Sequence, residues 1–251
     1  MAITDTISQK LSTIAANCPR IYAAGEAAGN AAGKQEAYDA FWDTYQKEGE
    51  RRDYRYAFAS VGWTDYTFDP KYDIIATGQA RDMFDFAAIT DLKGILASKG
   101  LSLDVSAVTN CQAMFANSNV TRVPELDLQR CTALTQLFSY EKALISVDKI
   151  KVNVTGSANA FTECDNLEHI IFDGVMAGTG LDLHWSTKLD RESIESIINC
   201  LSSTTSGLTV TLSLAAVKKA FETSAGANDG NTSAVWIALA ATKSNWTISL
   251  V

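Results

Sequence analysis

The residues of this chain that could take part in catalysis or metal binding are few and do not form a known pattern. There are only two histidines, His169 and His184. His169 lies between Glu168 and Ile170 on an expected strand, and His184 precedes Trp185 in an expected loop. No nucleophile elbow, phosphate-binding loop or calcium-loop spacing is found. The sequence therefore predicts a protein that is not an enzyme, with no catalytic residues, no cofactor and no metal site.

The cysteines also argue against a metal site or a disulfide ladder. They are odd in number and include no Cys-x-x-Cys pair. Ligands of one metal would share a register in a repeating chain, and these residues do not. We expect reduced, buried thiols that pack as small apolar side chains. The five residues are Cys18, Cys111, Cys131, Cys164 and Cys200.

A ligand is expected on the outward face of the strands in the middle of the chain. Exposed aromatic rings such as Trp185 or Tyr140 could stack on sugars. The alternative is a solvated strand face, with the aromatic rings used in packing. The expected partner is a protein or a glycan. The predicted ligand-binding residues are Asp104, Asp127, Lys151, His169 and Trp185.

The elements that would position these residues follow from a pattern of regular spacing. An apolar residue followed by phenylalanine recurs with Phe115, Phe138 and Phe161 spaced 23 residues apart, and an outlying copy ends at Phe84, 31 residues upstream. A fixed period in the twenties predicts an α/β solenoid in which each unit stacks on its neighbours. We expect the strands to form one narrow parallel sheet, with the phenylalanines in an interior column.

Four segments follow from this pattern: an N-terminal helical segment (1–48), a junction (49–72), the repeats (73–180) and C-terminal capping units (181–251). Apolar and small residues of the first segment alternate at steps of four and three, which is typical of a coiled coil. The segment is either an oligomerising stalk, with a homotrimer through residues 3–42 preferred, or a helix packed on the repeats. In the cap the pattern predicts helices at 189–201, 214–221 and 236–241, strands at 208–212 and 246–250, and a loop at 224–234.

Composition excludes some partners. The formal net charge is −8, which argues against binding nucleic acid or an anionic membrane surface. No apolar stretch approaches the roughly 18–20 residues of a membrane-spanning helix. The first fifteen residues lack the continuous apolar core of a secretory signal. We therefore expect synthesis in the cytoplasm and no membrane insertion.

Two segments resemble a known repeat family. Residues 160–170, reading AFTECDNLEHI, resemble the repeat of BspA-type bacterial leucine-rich repeat proteins. Residues 103–115, reading LDVSAVTNCQAMF, are similar to related repeats with the hallmark LDVSNVTNMSGMF. Cys131 and the segment around Ser139 depart from both patterns. The resemblance implies that the α/β solenoid is a leucine-rich-repeat solenoid.

The whole layout also resembles proteins encoded in prophage tail regions of gut Firmicutes. The shared features are an N-terminal aromatic cluster like FWDTYQ at 41–46, a junction like Gly62-Trp63, and a final strand like NWTISL at 245–250. This resemblance implies an adhesin-like structural component of a phage or prophage tail, assembled into the virion in the cytoplasm. The alternatives are a bacterial cell-surface protein that binds a host or glycan ligand, and an enzyme such as a glycan hydrolase.

Overall fold

The computed structural model describes residues 54–55, 57–59, 65, 68–221 and 233–251. The predicted N-terminal helix (1–48), its trimer interface, and most of the junction and of the 224–234 loop lie outside the described residues. In chain order the elements are β1 (Ile74–Gln79), α1 (Leu92–Ser98), β2 (Leu103–Asn110), β3 (Arg122–Val123), β4 (Leu126–Asp127), β5 (Ser146–Gly156), β6 (His169–Thr179), β7 (Leu181–Leu183), α2 (Arg191–Cys200), β8 (Leu208–Leu212), α3 (Leu214–Phe221), α4 (Ala234–Ala241) and β9 (Trp246–Leu250).

The strands lie in three short sheets and not in one. β1 pairs with β2, β5 pairs with β3, β4 and β6, and β7, β8 and β9 form a third sheet, with every pairing parallel. The prediction of a leucine-rich-repeat solenoid with a continuous sheet is therefore wrong. Over the described residues the fold is mixed α/β, with four helices and three separate parallel sheets.

The regular spacing did not predict the sheets correctly, because it reflects the stacking of side chains and does not determine which strands pair. The rings of Phe84, Phe115, Phe138 and Phe161 do form a buried column, with successive centroids 5.1, 5.2 and 5.6 Å apart. The strands beside them do not share one ladder, since β2 is paired with β1 in one sheet and β4 with β5 in another, while the column of rings continues past both. The 31-residue step before Phe115 accommodates α1.

Each phenylalanine of the column sits in the same kind of turn. The residues two before and two after it both have positive φ, between 52° and 61°. Backbone hydrogen bonds join one turn to the next, such as Phe115 N to Leu137 O at 2.9 Å and Phe138 N to Ala160 O at 2.8 Å. In chain order, the second positive-φ residues of the four turns are Phe86, Asn117, Tyr140 and Glu163.

The C-terminal elements are confirmed almost to the residue. The predicted strands 208–212 and 246–250 are β8 and β9, and the predicted helices are α2, α3 and α4. One continuous apolar cluster runs from Tyr54 through the phenylalanine column to Trp246. Cysteines 111, 131, 164 and 200 are free and buried, as predicted, and Cys18 lies outside the described residues.

Candidate functional site

The best candidate for a ligand site is a groove of about 530 Å³ between α1 and the strands β2 and β4, named here the acidic groove. Four carboxylates line it: Asp104, Glu125, Asp127 and Asp148. Among the described residues, the basic side chain that lines it is Lys93. Its floor is apolar, formed by Leu96, Ala97, Leu101, Leu103, Val105 and Pro124.

Local sequence explains how the upper part of the groove is built. Asp91 caps α1 by accepting a hydrogen bond from Gly94 N at 2.9 Å, and this leaves Lys93 on the groove side. Lys93 Nζ then lies 2.6 Å from Asp148 Oδ1 on β5, which joins the helix to the sheet. On β2, Asp104 accepts hydrogen bonds from the N and Oγ of Ser106, at 2.9 and 2.6 Å.

The lower rim comes from β4 and β5. Parallel pairing aligns Asp127 with Lys151, and Lys151 with Asp173 on β6. Lys151 Nζ lies 2.5 Å from Glu125 Oε1. The hydrogen bond from Lys151 lowers the pKa of Glu125, and the hydrogen bond to Glu125 raises the pKa of Lys151. Both groups are therefore charged at neutral pH, and the rim of the groove carries the two exposed ion pairs Lys93–Asp148 and Lys151–Glu125.

The other predicted residues do not join this groove. His169 Nδ1 lies 2.7 Å from Asp190 Oδ2, at the N-terminus of α2. Burial opposes ionisation of Asp190, but hydrogen bonds from Ser193 and His169 outweigh it and lower its pKa. Trp185 is exposed, and its ring centroid lies 4.6 Å from that of His184. The structure thus brings together Asp104, Asp127 and the ion pair of Lys151, and leaves His169 and Trp185 outside the groove.

Sequence reasoning missed Lys93, Glu125 and Asp148. Strand alternation finds residues that point out of one strand, whereas Lys93 lies on a helix, Glu125 in the link between β3 and β4, and Asp148 on the neighbouring strand β5. Lys93 and Asp148 are 55 residues apart, and no local pattern links them. The one local signal for Lys93 is its position in the first turn of a helix, because it follows the capping residue Asp91 and the buried Leu92.

The groove combines charged side chains with an apolar floor. Its charges are arranged as pairs along a rim, with a predominance of carboxylates, above an apolar floor. Such a surface favours a ligand with cationic and apolar groups. Within the described residues, no group of three or more His, Cys, Asp or Glu side chains is placed to hold a metal ion.

Comparison with known proteins identifies no relative. No family model matches the chain, and neither a curated protein nor a solved structure is significantly similar to it. Among the described helices, none has the length and apolar character needed to cross a bilayer.

Proposed function

We propose that this chain is a non-enzymatic structural and binding protein of an adhesin-like, tail-associated kind, carried by a phage or prophage particle. The observation that carries the binding part is the acidic groove, an open cleft with ion pairs at its rim and an apolar floor. A concave surface with a few fixed polar groups is the usual form of a ligand site. The tail location is supported by the resemblance of the N-terminal, junction and final segments to prophage tail-region proteins.

The proposal includes assembly through the N-terminal segment. The 4-3 spacing of residues 3–42 supports a self-associating helix, and a trimer is the preferred number because phage fibres and spikes commonly have threefold symmetry. Light scattering of the full chain should give three times the monomer mass. A monomer at tens of micromolar would contradict the stalk and favour a helix that packs on the rest of its own chain.

Purified particles test the tail location. Prophage would be induced in the source strain, the particles banded on a density gradient, and the fractions probed with an antibody to the chain. The chain should band with intact particles, while a cytoplasmic marker protein should stay behind. Recovery in the cell-envelope fraction alone would contradict the proposal and support the bacterial cell-surface alternative.

The role of the acidic groove is tested in the same experiment. The double variant Asp104→Asn, Asp127→Asn removes two rim charges and keeps the shape of the side chains. If the groove binds a particle component, the double variant should be under-represented in the banded particles. Asp165→Asn is the matched control, since Asp165 lies outside the groove. Equal incorporation of both variants would exclude the groove as the docking site.

A further inference from the structure

A second cleft is lined by the second positive-φ residues of three successive turns, Phe86, Asn117 and Tyr140. Its volume is about 590 Å³, within the range of small-ligand sites. It is named here the aromatic cleft, and its lining residues are Phe86, Asn117, Ser118, Asn119, Tyr140, Lys142 and Ala143. Phe86 and Tyr140 come from the first and third of these turns, and Asn117 from the turn between them.

The two aromatic rings of this cleft are not explained by folding. Phe86 is 60% exposed and Tyr140 is 49% exposed. Their φ angles are 53° and 61°, a region that asparagine tolerates and bulky residues avoid. The intervening turn shows the ordinary solution, since Asn117 occupies the same position at φ 52°. The positive φ belongs to the turn, since all four turns share it, and what distinguishes Phe86 and Tyr140 is that a large ring at this position stays exposed and gains little from burial.

The groups between the rings are polar and fixed in place. Asn117 Nδ2 donates a hydrogen bond to Asp85 Oδ1 at 3.3 Å. Ser118 Oγ is hydrogen-bonded to the buried carboxyl group of Glu141. Lys142 Nζ lies 2.7 Å from Glu163 Oε2, so its charge is balanced. The cleft therefore presents two ring faces, with amide and hydroxyl groups between them and no unbalanced positive charge from Lys142.

We propose that the aromatic cleft binds a neutral glycan, with Phe86 and Tyr140 stacking on sugar rings and Asn117 and Asn119 hydrogen-bonding to sugar hydroxyls. The C–H face of a pyranose is weakly positive and apolar, which suits the negative face of an aromatic ring. Its hydroxyl groups need amide and hydroxyl partners, which the middle of the cleft supplies. The assignment rests on the proposed binding function and names its ligand class.

Other ligands that stack on aromatic rings fit the cleft less well. Single-stranded nucleic acid needs a positively charged track for its phosphates. Among the described residues that line the cleft, the cation is Lys142, which is paired with Glu163, and the chain carries a net charge of −8. A second copy of the chain would need a contiguous apolar patch, and here a polar asparagine separates the two rings.

Affinity electrophoresis and glycan arrays test the proposal on the full chain. The probes are gels containing dextran, mannan or soluble β-glucan, and an array of neutral bacterial and host oligosaccharides. We expect the wild type to be retarded by at least one polysaccharide or to bind one class of array glycan. The double variant Phe86→Asn, Tyr140→Asn should weaken that binding by about tenfold or more. Asparagine is already present at the equivalent position 117, so the variant keeps a compatible backbone, which a thermal melt would verify.

Two further variants separate the outcomes. Tyr140→Phe keeps the ring and should bind like the wild type, whereas Trp185→Ala tests the other predicted sugar-stacking residue. No binding to any probe, or binding lost in Trp185→Ala and kept in the asparagine variant, would overturn the proposal. So would self-association that the asparagine variant abolishes. Particle banding is a separate readout, so glycan binding by a chain absent from particles would refute the tail location and leave this site in place.

Discussion

Phe138 shows how one side chain can support several units of the fold. Its ring is fully buried and lies 5.2 Å from that of Phe115 and 5.6 Å from that of Phe161, measured between centroids. Phe138→Ala would leave a cavity between two rings that are held by their own turns. We expect a loss of roughly 3–5 kcal/mol in the free energy of unfolding, measured by urea denaturation.

Phe86 supplies the matched control for that prediction. It is the same residue type in a turn of the same kind, but it lies two residues after the buried Phe84 and its side chain is exposed. Phe86→Ala deletes the same atoms without creating a cavity, so its cost should stay within about 0.5 kcal/mol. Similar losses in the two variants would show that the column does not carry the core.

Glu141 makes the stability of the chain depend on pH. Its side chain is fully buried, and burial raises its pKa from the ordinary value of 4.5 to about 8, despite a hydrogen bond from Ser118. Burial raises the pKa of the Cys164 thiol, and the proximity of Glu141 raises it further. Between pH 4.5 and 8 the folded chain therefore keeps a proton that the unfolded chain has released.

The sign of this effect follows from proton linkage. The stability that is present below pH 4.5 is lost as the pH rises towards 8, by roughly 3–5 kcal/mol. Glu141→Gln cannot ionise, so its melting temperature should exceed that of the wild type at pH 8 and approach it at pH 5. Glu168→Gln, at an exposed position, should follow the wild-type curve. Parallel pH curves for the wild type and Glu141→Gln would contradict the assignment.

At the scale of elements, β6 packs against β5 more closely than a side chain allows. Gly174 has φ +122°, and a Cβ built on it would lie 2.0 Å from the carbonyl oxygen of Val152. Gly174→Ala must therefore displace the β5 backbone as well as adopt a disfavoured φ. Gly207 has φ +74° and nothing within 4 Å of its Cβ position, so Gly207→Ala measures only the free-energy cost of the disfavoured φ.

The two glycine variants should differ for that reason. Gly207→Ala should cost about 1–2 kcal/mol, the usual penalty for a left-handed L-residue. Gly174→Ala should cost clearly more and lower the urea midpoint further, with circular dichroism as the readout. Equal losses would mean that β5 and β6 can separate at no cost, and that the close approach does not constrain the sheet.

The elements also show what the sequence could and could not predict. α2 was predictable because its signals are local: an apolar stripe including Ile194, Ile197 and Ile198, and the Asp190 cap, which accepts a hydrogen bond from Ser193 N at 2.8 Å. The division of the strands into three sheets was not predictable, because it depends on bulges and on the register between strands that are distant in the sequence. Alternation identified Asp104 and Asp127, while the Lys93–Asp148 contact depends on the tertiary fold.

At the scale of the whole molecule, three separate sheets share one core. The apolar cluster is continuous across them, and β6 connects the middle of the chain to the C-terminal part. Ile170 N donates to Ser193 Oγ of α2 at 2.9 Å, and Ser202 N donates to Met176 O at 2.8 Å. Separate hydrogen-bond ladders would allow independent unfolding, but a shared core couples neighbouring layers through their interfaces.

We therefore expect one cooperative unfolding transition for residues 68–221 and 233–251. Calorimetry should give a van't Hoff enthalpy equal to the calorimetric enthalpy for the main transition. Phe138→Ala, far in sequence from the third sheet, should lower the temperature of the whole transition, because the unit it weakens adjoins β6 and through it α2 and β8. A second transition that Phe138→Ala leaves unmoved would show that β7, β8 and β9 unfold independently. In that case the continuity of the apolar cluster would not be enough to make the three sheets one cooperative unit.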